Sequence, residues 1–302
     1  MAPSIETYFM HVRYLYLALI LMGASWGITP VFIKVAVNAG HHPFGMIVWT
    51  NAISLILSGV VTFMRRRRLP ISLQHLKLYV GVSLLGAVIP NLLTFTAALH
   101  LSAGVMSILI ALVPMFAMPI ALAIGLEKAS VIRFVGALCG AIAIVLIIGP
   151  DTGLPDATKV GFVFVALGAS LCYGGEGNFI TWLGMQDLDP VQVLFGASVI
   201  GIIIALPLAA VTGNFISLDN FGIPELAIVS TSVISWETYV IYIWLIDKAG
   251  PVFASQVAYL VTAFGVVWAM LLLGEVYSIW VWMAFALMLV GITLVRPRKS
   301  ET

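Results

Sequence analysis

The chain has 302 residues, of which 62% are hydrophobic and only 9% are charged, and its formal net charge is +1. Soluble domains carry about 25% charged residues, so this composition excludes a soluble globular protein and indicates an integral membrane protein. The small net charge argues against nucleic acid as a partner, because a phosphate-binding surface needs clustered Lys and Arg. Cys139 and Cys172, the only cysteines, have no metal-ligand spacing. We therefore predict no metal and no cofactor.

Ten apolar runs come close to the ~20 residues that a helix needs to cross the hydrocarbon core of a bilayer. Runs this long and this continuously apolar can satisfy their backbone in lipid only as helices. The sequence therefore predicts an all-α integral membrane protein with ten transmembrane helices. These spans, numbered one to ten, cover Arg13–Val37, Phe44–Phe63, Leu76–Ala98, Leu101–Ile124, Val131–Ile148, Val160–Leu183, Pro190–Val211, Ile223–Ile246, Val252–Leu273 and Ser278–Val295.

The basic residues predict the orientation of these spans, because Lys and Arg mark cytoplasmic loops. With a cytoplasmic N-terminus, Lys159 lies outside and Lys34 lies within span one. The other twelve of the 14 Lys and Arg then fall on the cytoplasmic side: Arg13, Arg65, Arg66, Arg67, Arg68, Lys77, Lys128, Arg133, Lys248, Arg296, Arg298 and Lys299. We predict a multi-pass protein of the inner (plasma) membrane with both termini in the cytoplasm.

The second half of the chain repeats the first. A shift of 148 residues aligns the segment that starts at Ser107 with the segment that starts at Ser255, and Glu127 then matches Glu275. We predict two repeats, residues 1–150 and 151–302, with five spans in each. Because five is odd, the second repeat enters the membrane upside down. Inverted repeats are typical of secondary transporters, in which one half rocks against the other around a site near the midplane.

These features together resemble a known family. The segment "WGITPVFIK", which starts at Trp26, is followed by Pro43 at the opening of span two, and each repeat contains a small-residue helix, a Glu, a Ser and a glycine-dotted helix. The chain resembles the EamA-type ten-helix exporters of the drug/metabolite transporter superfamily over nearly its whole length. It departs from their pattern at Trp49–Asn51, where a basic residue is common, and at Glu176. The resemblance implies export of small organic solutes, and bacterial exporters of amino acids, including aromatic ones, are the relatives that we suspect.

Candidate site residues begin in span one. Trp26, Pro30 and Lys34 are spaced by four residues and share a helix face. Lys34 could attract a substrate carboxylate if this face lines a cavity. The alternative is a lysine that extends to the nearby membrane surface.

In span three, Asn91, Thr94 and Phe95 form one stripe that is polar enough to prefer a cavity to lipid, and Pro90 loosens the turn before it. Spans four and nine carry small residues suited to tight packing, and we predict that they form the rocking interface. Those residues are Gly104, Ser107, Ala111 and Ala117 in span four, and Ser255, Ala258, Ala263 and Gly265 in span nine. Pro114 and Pro119 are predicted to bend span four.

Two carboxylates lie within predicted spans, where a charged group costs about 3 kcal/mol or more. Glu176 of span six lies among glycines, with Tyr173 one turn before it. Glu237 lies near the middle of span eight, between Trp236 and Tyr239. We predict that Glu176 lines a watery cavity between the repeats or neutralises a cation there, and that Glu237 lies on the substrate pathway. A structural role for Glu237 as a protonated acid is the alternative. Tyr259 of span nine, like Trp236 and Tyr239, is too deep for an interfacial aromatic belt.

The sequence favours a secondary active exporter of amino acids or related metabolites, which binds a small-molecule substrate within the lipid bilayer. An exporter of drug-like cations is one alternative. An intramembrane enzyme that uses Glu176 and Glu237 as an acid–base pair is another, although no catalytic motif is present. A channel is disfavoured because the polar residues form no rings. The sequence assigns no oligomeric state.

Overall fold

The computed structural model of the chain describes residues 5–126, 131–148, 157–216, 221–249 and 257–294. Every regular element in this part of the chain is helical, which confirms the predicted all-α fold. The helices are Ile5–Gly27, Thr29–Asn38, Pro43–Met64, Leu73–Val82, Ser83–Val88 (a π-helix), Ile89–Ala98, Ala103–Ile110, Val113–Ala123, Val131–Ile148, Ala157–Lys159 (a 3₁₀ turn), Val160–Leu183, Pro190–Thr212, Ile223–Ala249, Val257–Leu273 and Ile279–Leu294.

Each of the ten predicted spans falls on one or more of these helices. Six helical segments in the described residues are long and apolar enough, by length and composition, to cross a membrane, and three shorter apolar helices accompany them. Span eight is longer than predicted, because its helix continues to Ala249. Glu127, the loop at 149–156 and both chain ends lie outside the described residues. The repeat boundary at residue 150 and the position of the termini therefore stay predictions.

Proline breaks span one into two helices. Pro30 has no N–H to donate to the carbonyl of Trp26, four residues earlier, so the α-helical ladder cannot continue there. The Thr29 hydroxyl donates to that carbonyl instead, at 2.8 Å. The first helix accordingly ends at Gly27 and the second begins at Thr29.

Span four is interrupted in the same way. Its first helix ends at Ile110 and its second begins at Val113, just before Pro114. The predicted bend is therefore present as a break at Ala111–Leu112, whereas Pro119 lies inside the second helix.

Most of the extensive helix contacts join the two repeats. A shift of five in each span number converts one of these contacts either into itself or into another contact that is also present. Span two packs against span seven, and span five against span ten. Span one packs against span nine, and the equivalent contact is that of span six with span four. Span three packs against span six, and the equivalent contact is that of span eight with span one. This arrangement is the one that a pseudo-twofold relation between the repeats requires.

Spans one, four and nine cross most closely at Gly27, Ser107 and Gly265. A β-carbon on Gly27 would lie 2.9 Å from the Gly265 nitrogen and 2.9 Å from the Val261 carbonyl oxygen. A β-carbon on Gly265 would overlap the Ser107 hydroxyl. Of the small residues predicted for tight packing, Ser107 and Gly265 therefore pack tightly here, while Ser255 and the side chain of Ala258 lie outside the described part of the chain. Rocking at this crossing stays a prediction.

One end of the bundle carries Arg65–Arg68 and is here called the basic end. Polar contacts join spans two and seven at this end. The Asp189 carboxylate accepts from the Gln192 backbone at 3.0 Å and caps span seven. Arg65 and Arg67 each lie 3.8 Å from the same carboxylate, and the Gln192 side chain donates to the Arg68 carbonyl at 2.7 Å.

Candidate functional site

Spans three and six run antiparallel, and their contacts bring Glu176 against the middle of span three. A β-carbon on Gly86 would overlap the Glu176 carboxylate, and one on Gly81, towards the basic end, would overlap the Phe179 ring. Towards the other end, the Tyr173 hydroxyl donates to Asn91 Oδ1 at 3.4 Å. Because Gly86 has no side chain, the Glu176 carboxylate can lie against the backbone of span three.

The backbone of span three is π-helical at this level, over Ser83–Val88. The cause lies in Pro90, which has no N–H to donate to the carbonyl of Gly86, so the α-helical hydrogen bond at that position cannot form. The backbone N–H of Ile89 instead donates to the carbonyl of Leu84, five residues earlier. Single-turn π-helices of this kind are frequent at functional sites.

Glu176, Tyr173 and Tyr239 form a polar cluster with Asn91 and Thr94, and this set is here called the Glu176 cluster. Both tyrosines interact electrostatically with the Glu176 carboxylate. The Thr94 hydroxyl is buried beside Tyr173 but makes no hydrogen bond of good geometry. The cluster joins span three of the first repeat to spans six and eight of the second.

Glu176 has no cationic partner in the described part of the chain. The ion pairs found there involve His41 with Glu225, and Arg65 and Arg67 with Asp189. Glu176 is half-buried and lies seven residues before Leu183, which is about 10 Å along the helix axis. A carboxylate at such a depth needs water, a proton or a cationic ligand.

The glycines around Glu176 have different surroundings. Gly174 lies against the backbone of span four, because its β-carbon would be 2.9 Å from the Ala117 nitrogen. Gly177 has open space around it. The helix Val160–Leu183 runs through Gly174, Gly175 and Gly177 without interruption, so these glycines do not unwind it.

Two residues that the sequence argument missed connect span six to the interrupted span four. The Ser170 hydroxyl donates to the Leu109 carbonyl at 2.8 Å, and the Asn178 amide donates to the Ala117 carbonyl at 2.8 Å. Both carbonyls lie within two residues of the break or of Pro119, where the regular ladder is disturbed. Ser170 and Asn178 could have been identified from the sequence as polar residues on the face of span six that packs against a proline-containing helix.

Trp26 and Trp236 serve as packing and hydrogen-bonding residues between spans. The ring of Trp26 lies 6.1 Å from that of Tyr242, in a cluster formed by spans one, eight and nine. The Trp236 indole donates to the buried Ser58 hydroxyl at 2.8 Å, which ties span eight to span two. Phe95 is buried in the largest hydrophobic core. None of these three side chains is part of the Glu176 cluster.

Lys34 lies at the end of the bundle opposite to the basic end. Its ammonium donates to the Ala98 carbonyl at 2.7 Å and so caps the C-terminus of span three. It also interacts electrostatically with Glu275. The structure thus places Lys34 apart from Glu176, and next to the loop between spans nine and ten.

Glu275 joins that loop to the first repeat. Its carboxylate accepts from the backbone N–H groups of Ala103 and Gly104, at 2.8 and 3.1 Å, and from the Tyr277 hydroxyl. Burial, together with the hydrogen bond to Glu275, raises the pKa of Tyr277. The residue that the repeat matched to Glu127 is therefore a cap on the N-terminus of span four.

Glu237 lies on a different face of span eight from Tyr239. It is exposed, as are Leu226 and Trp244, which share its helix face. Tyr239, two residues later, interacts electrostatically with Glu176. Glu176 and Glu237 therefore do not form the pair that an acid–base mechanism would need. Tyr259 lies in the helix Val257–Leu273, but its side chain lies outside the described ones.

A groove of about 460 Å³ runs between spans three and six near the basic end. It is lined by Lys77, Gly81, Phe179 and Trp182 with four aliphatic residues. Phe179 is one turn from Glu176, but no residue of the Glu176 cluster lines the groove. Among the described residues, no group of three or more His, Cys, Asp and Glu could hold a metal ion.

Comparison with known proteins gives one family and one fold. A model of the EamA-like transporter family matches the chain twice, over residues 13–149 and 161–296. A solved structure, described only as a crystal structure of a protein, has a TM-score of 0.64 and 15% identity, and the match covers 93% of this chain and 98% of that one. No curated protein matches. Each of the two family matches lies within one of the two predicted repeats.

Proposed function

The chain belongs to the EamA-like transporter family, and within that family we propose that it exports small organic solutes, amino acids above all, by alternating access. The observation that carries the proposal is the composition of the Glu176 cluster. Asn91 and Thr94 belong to the first repeat, whereas Tyr173, Glu176 and Tyr239 belong to the second. A motion of one repeat against the other would change the access to this cluster.

The proposed substrate site consists of the Glu176 cluster as its centre. Trp26, Lys34, Phe95, Trp236, Glu237 and Tyr259 complete the proposed set as residues that support the cluster or line the path to it. Among them, Lys34 lies at the end opposite to the basic end, where its ammonium donates to the Ala98 carbonyl and interacts electrostatically with Glu275. An exported solute with a carboxylate would pass this ammonium as it leaves.

Uptake into proteoliposomes made with the purified protein tests the substrate class. We expect labelled L-phenylalanine, L-leucine or a related amino acid to enter faster than into protein-free vesicles. If the cation tetraphenylphosphonium enters and no amino acid does, the protein is an exporter of drug-like cations and the amino-acid proposal is rejected. Chemical conversion of a solute without its transfer would support the intramembrane enzyme instead.

Cysteine labelling tests the proposed orientation in the plasma membrane. On a background without Cys139 and Cys172, we expect Ser300→Cys to be protected from an impermeant thiol reagent in intact cells and Thr152→Cys to be labelled. The reason is the bias of basic residues, twelve of 14 on one side. Labelling of Ser300→Cys together with protection of Thr152→Cys would reverse the orientation.

Glu237→Gln tests whether Glu237 lies on the substrate pathway. The substitution keeps the shape of the side chain and removes its charge, so we expect a severalfold loss of flux for cationic and zwitterionic solutes, with little change in thermal stability. Glu225→Gln is the matched control, because Glu225 pairs with His41 at 2.7 Å, at the start of the span eight helix. If Glu237 is a protonated structural acid, its Gln variant will transport every solute at the wild-type rate.

A further inference from the structure

We propose that Glu176 and the π-helical turn of span three form a subsite for a substrate ammonium group. The inference rests on the proposed transport function and names the chemistry that its site recognises. The carboxylate of Glu176, the backbone around Gly86 and the rings of Tyr173 and Tyr239 would surround the ammonium. Primary amines and zwitterionic amino acids are therefore the substrate class.

Glu176 has no counter-ion among the described residues. An ionised carboxylate within a span is stable only with a counter-ion, water or hydrogen-bond donors around it. In the described part of the chain, neither Lys nor Arg pairs with Glu176. The titratable groups that interact with it there are Tyr173 on its own helix and Tyr239 on span eight. A bound ammonium would supply the missing positive charge.

Span three has a polar character at the same level. In a regular α-helix each backbone carbonyl accepts a hydrogen bond from the N–H group four residues later. Here the Gly86 carbonyl has no α-helical donor, because Pro90 lacks the N–H, and the turn that contains Gly86 is π-helical. An ammonium group carries three N–H donors, and the carbonyl of Gly86, which lacks its α-helical donor, is an acceptor for one of them.

Because Gly86 has no side chain, the carboxylate reaches the surface of span three. Tyr173 of span six and Tyr239 of span eight interact electrostatically with the carboxylate, and the face of an aromatic ring attracts a cation. The Thr94 hydroxyl is buried beside them without a hydrogen bond of good geometry. These groups offer acceptors or negative potential to a single small cation.

The test compares three probes that share a phenyl ring and differ in charge: 2-phenylethylamine, L-phenylalanine and N-acetyl-L-phenylalanine. Binding is measured on the purified protein by the shift of its melting temperature with probe concentration. We expect the two probes with a free ammonium to bind at least tenfold more tightly than the acetylated one. Glu176→Gln is expected to remove this preference, and Glu176→Asp to keep part of it. Glu225→Gln, the control that removes a distant carboxylate, should keep it in full.

Two results would overturn the subsite. One is a wild-type protein without preference among the three probes, and the other is a Glu176→Gln variant that keeps the wild-type preference. The transport proposal is tested separately, by the flux of solutes into proteoliposomes. An ammonium preference that requires Glu176, together with no flux of any solute into proteoliposomes, would leave the subsite standing and reject transport.

Discussion

Gly27→Ala is expected to destabilise the protein by about 2 kcal/mol or more, as overpacking of a tight core does. The added β-carbon would lie 2.9 Å from three atoms of span nine, and two of them, the Gly265 nitrogen and the Val261 carbonyl oxygen, belong to the backbone. Backbone atoms cannot move aside as the end of a side chain can. The crossing of spans one, four and nine must therefore open, and thermal unfolding in detergent measures the cost.

Gly161→Ala is the matched control for this prediction. Gly161 is also a helical glycine within a span, but its β-carbon would meet nothing within 4 Å. Ala has the higher helix propensity, by about 1 kcal/mol, so this variant should be as stable as the wild type or slightly more so. Equal melting temperatures for the Gly27 and Gly161 variants would show that the crossing is looser than the structure indicates.

Gly86→Ala is expected to lower transport at least tenfold while the protein still folds. Its β-carbon would overlap the Glu176 carboxylate, which is the end of a flexible side chain and can move away. The fold therefore survives, but the carboxylate leaves the position that the cluster provides. A displacement of about 1 Å at a site can cost two orders of magnitude in rate.

Gly177→Ala provides the comparison for Gly86→Ala, because Gly177 is adjacent to Glu176 and has open space around it. Initial rates of amino-acid uptake, with melting temperatures measured in parallel, distinguish an effect on the site from an effect on the fold. We expect wild-type flux for the Gly177 variant. A Gly86 variant with wild-type flux would separate Glu176 from transport.

The ten spans and the repeat could be predicted from the sequence because they depend on local properties. A continuous apolar run such as Pro190–Val211 has one stable form in lipid, and the match of Ser107 with Ser255 survives as residue identity. Helix breaks are also local, since they follow from the missing N–H of Pro30 and Pro114. For these features, composition and spacing contain the physical cause.

The site was less predictable because it depends on the rotation of each helix and on contacts between distant spans. Glu176 and Tyr173 were identified together, one turn apart. The approach of Tyr239 and the contact with Gly86 join residues far apart in the sequence, and nothing local encodes them. Trp236, predicted for the same site as Tyr239, instead bonds to Ser58. Residues three apart on a helix lie about 60° apart around its axis, so a neighbouring helix can contact one of them and not the other.

The π-helical turn was predicted only in part. Pro90 was expected to loosen the turn before it, but the choice of a π-helix over a kink depends on what packs there. The carbonyl that Pro90 leaves without a donor is that of Gly86, the residue that contacts Glu176. For Pro90, the residue four positions earlier therefore coincides with the polar site.

Counterflow in proteoliposomes tests the central claim, transport by alternating access, most directly. Vesicles are loaded with an unlabelled amino acid, diluted, and given a trace of the same amino acid in labelled form outside. A carrier exchanges the two, so we expect the label to accumulate transiently above its outside concentration in loaded vesicles and not in empty ones. Equal entry into loaded and empty vesicles would indicate a channel and contradict the account, as would no entry for any amino acid.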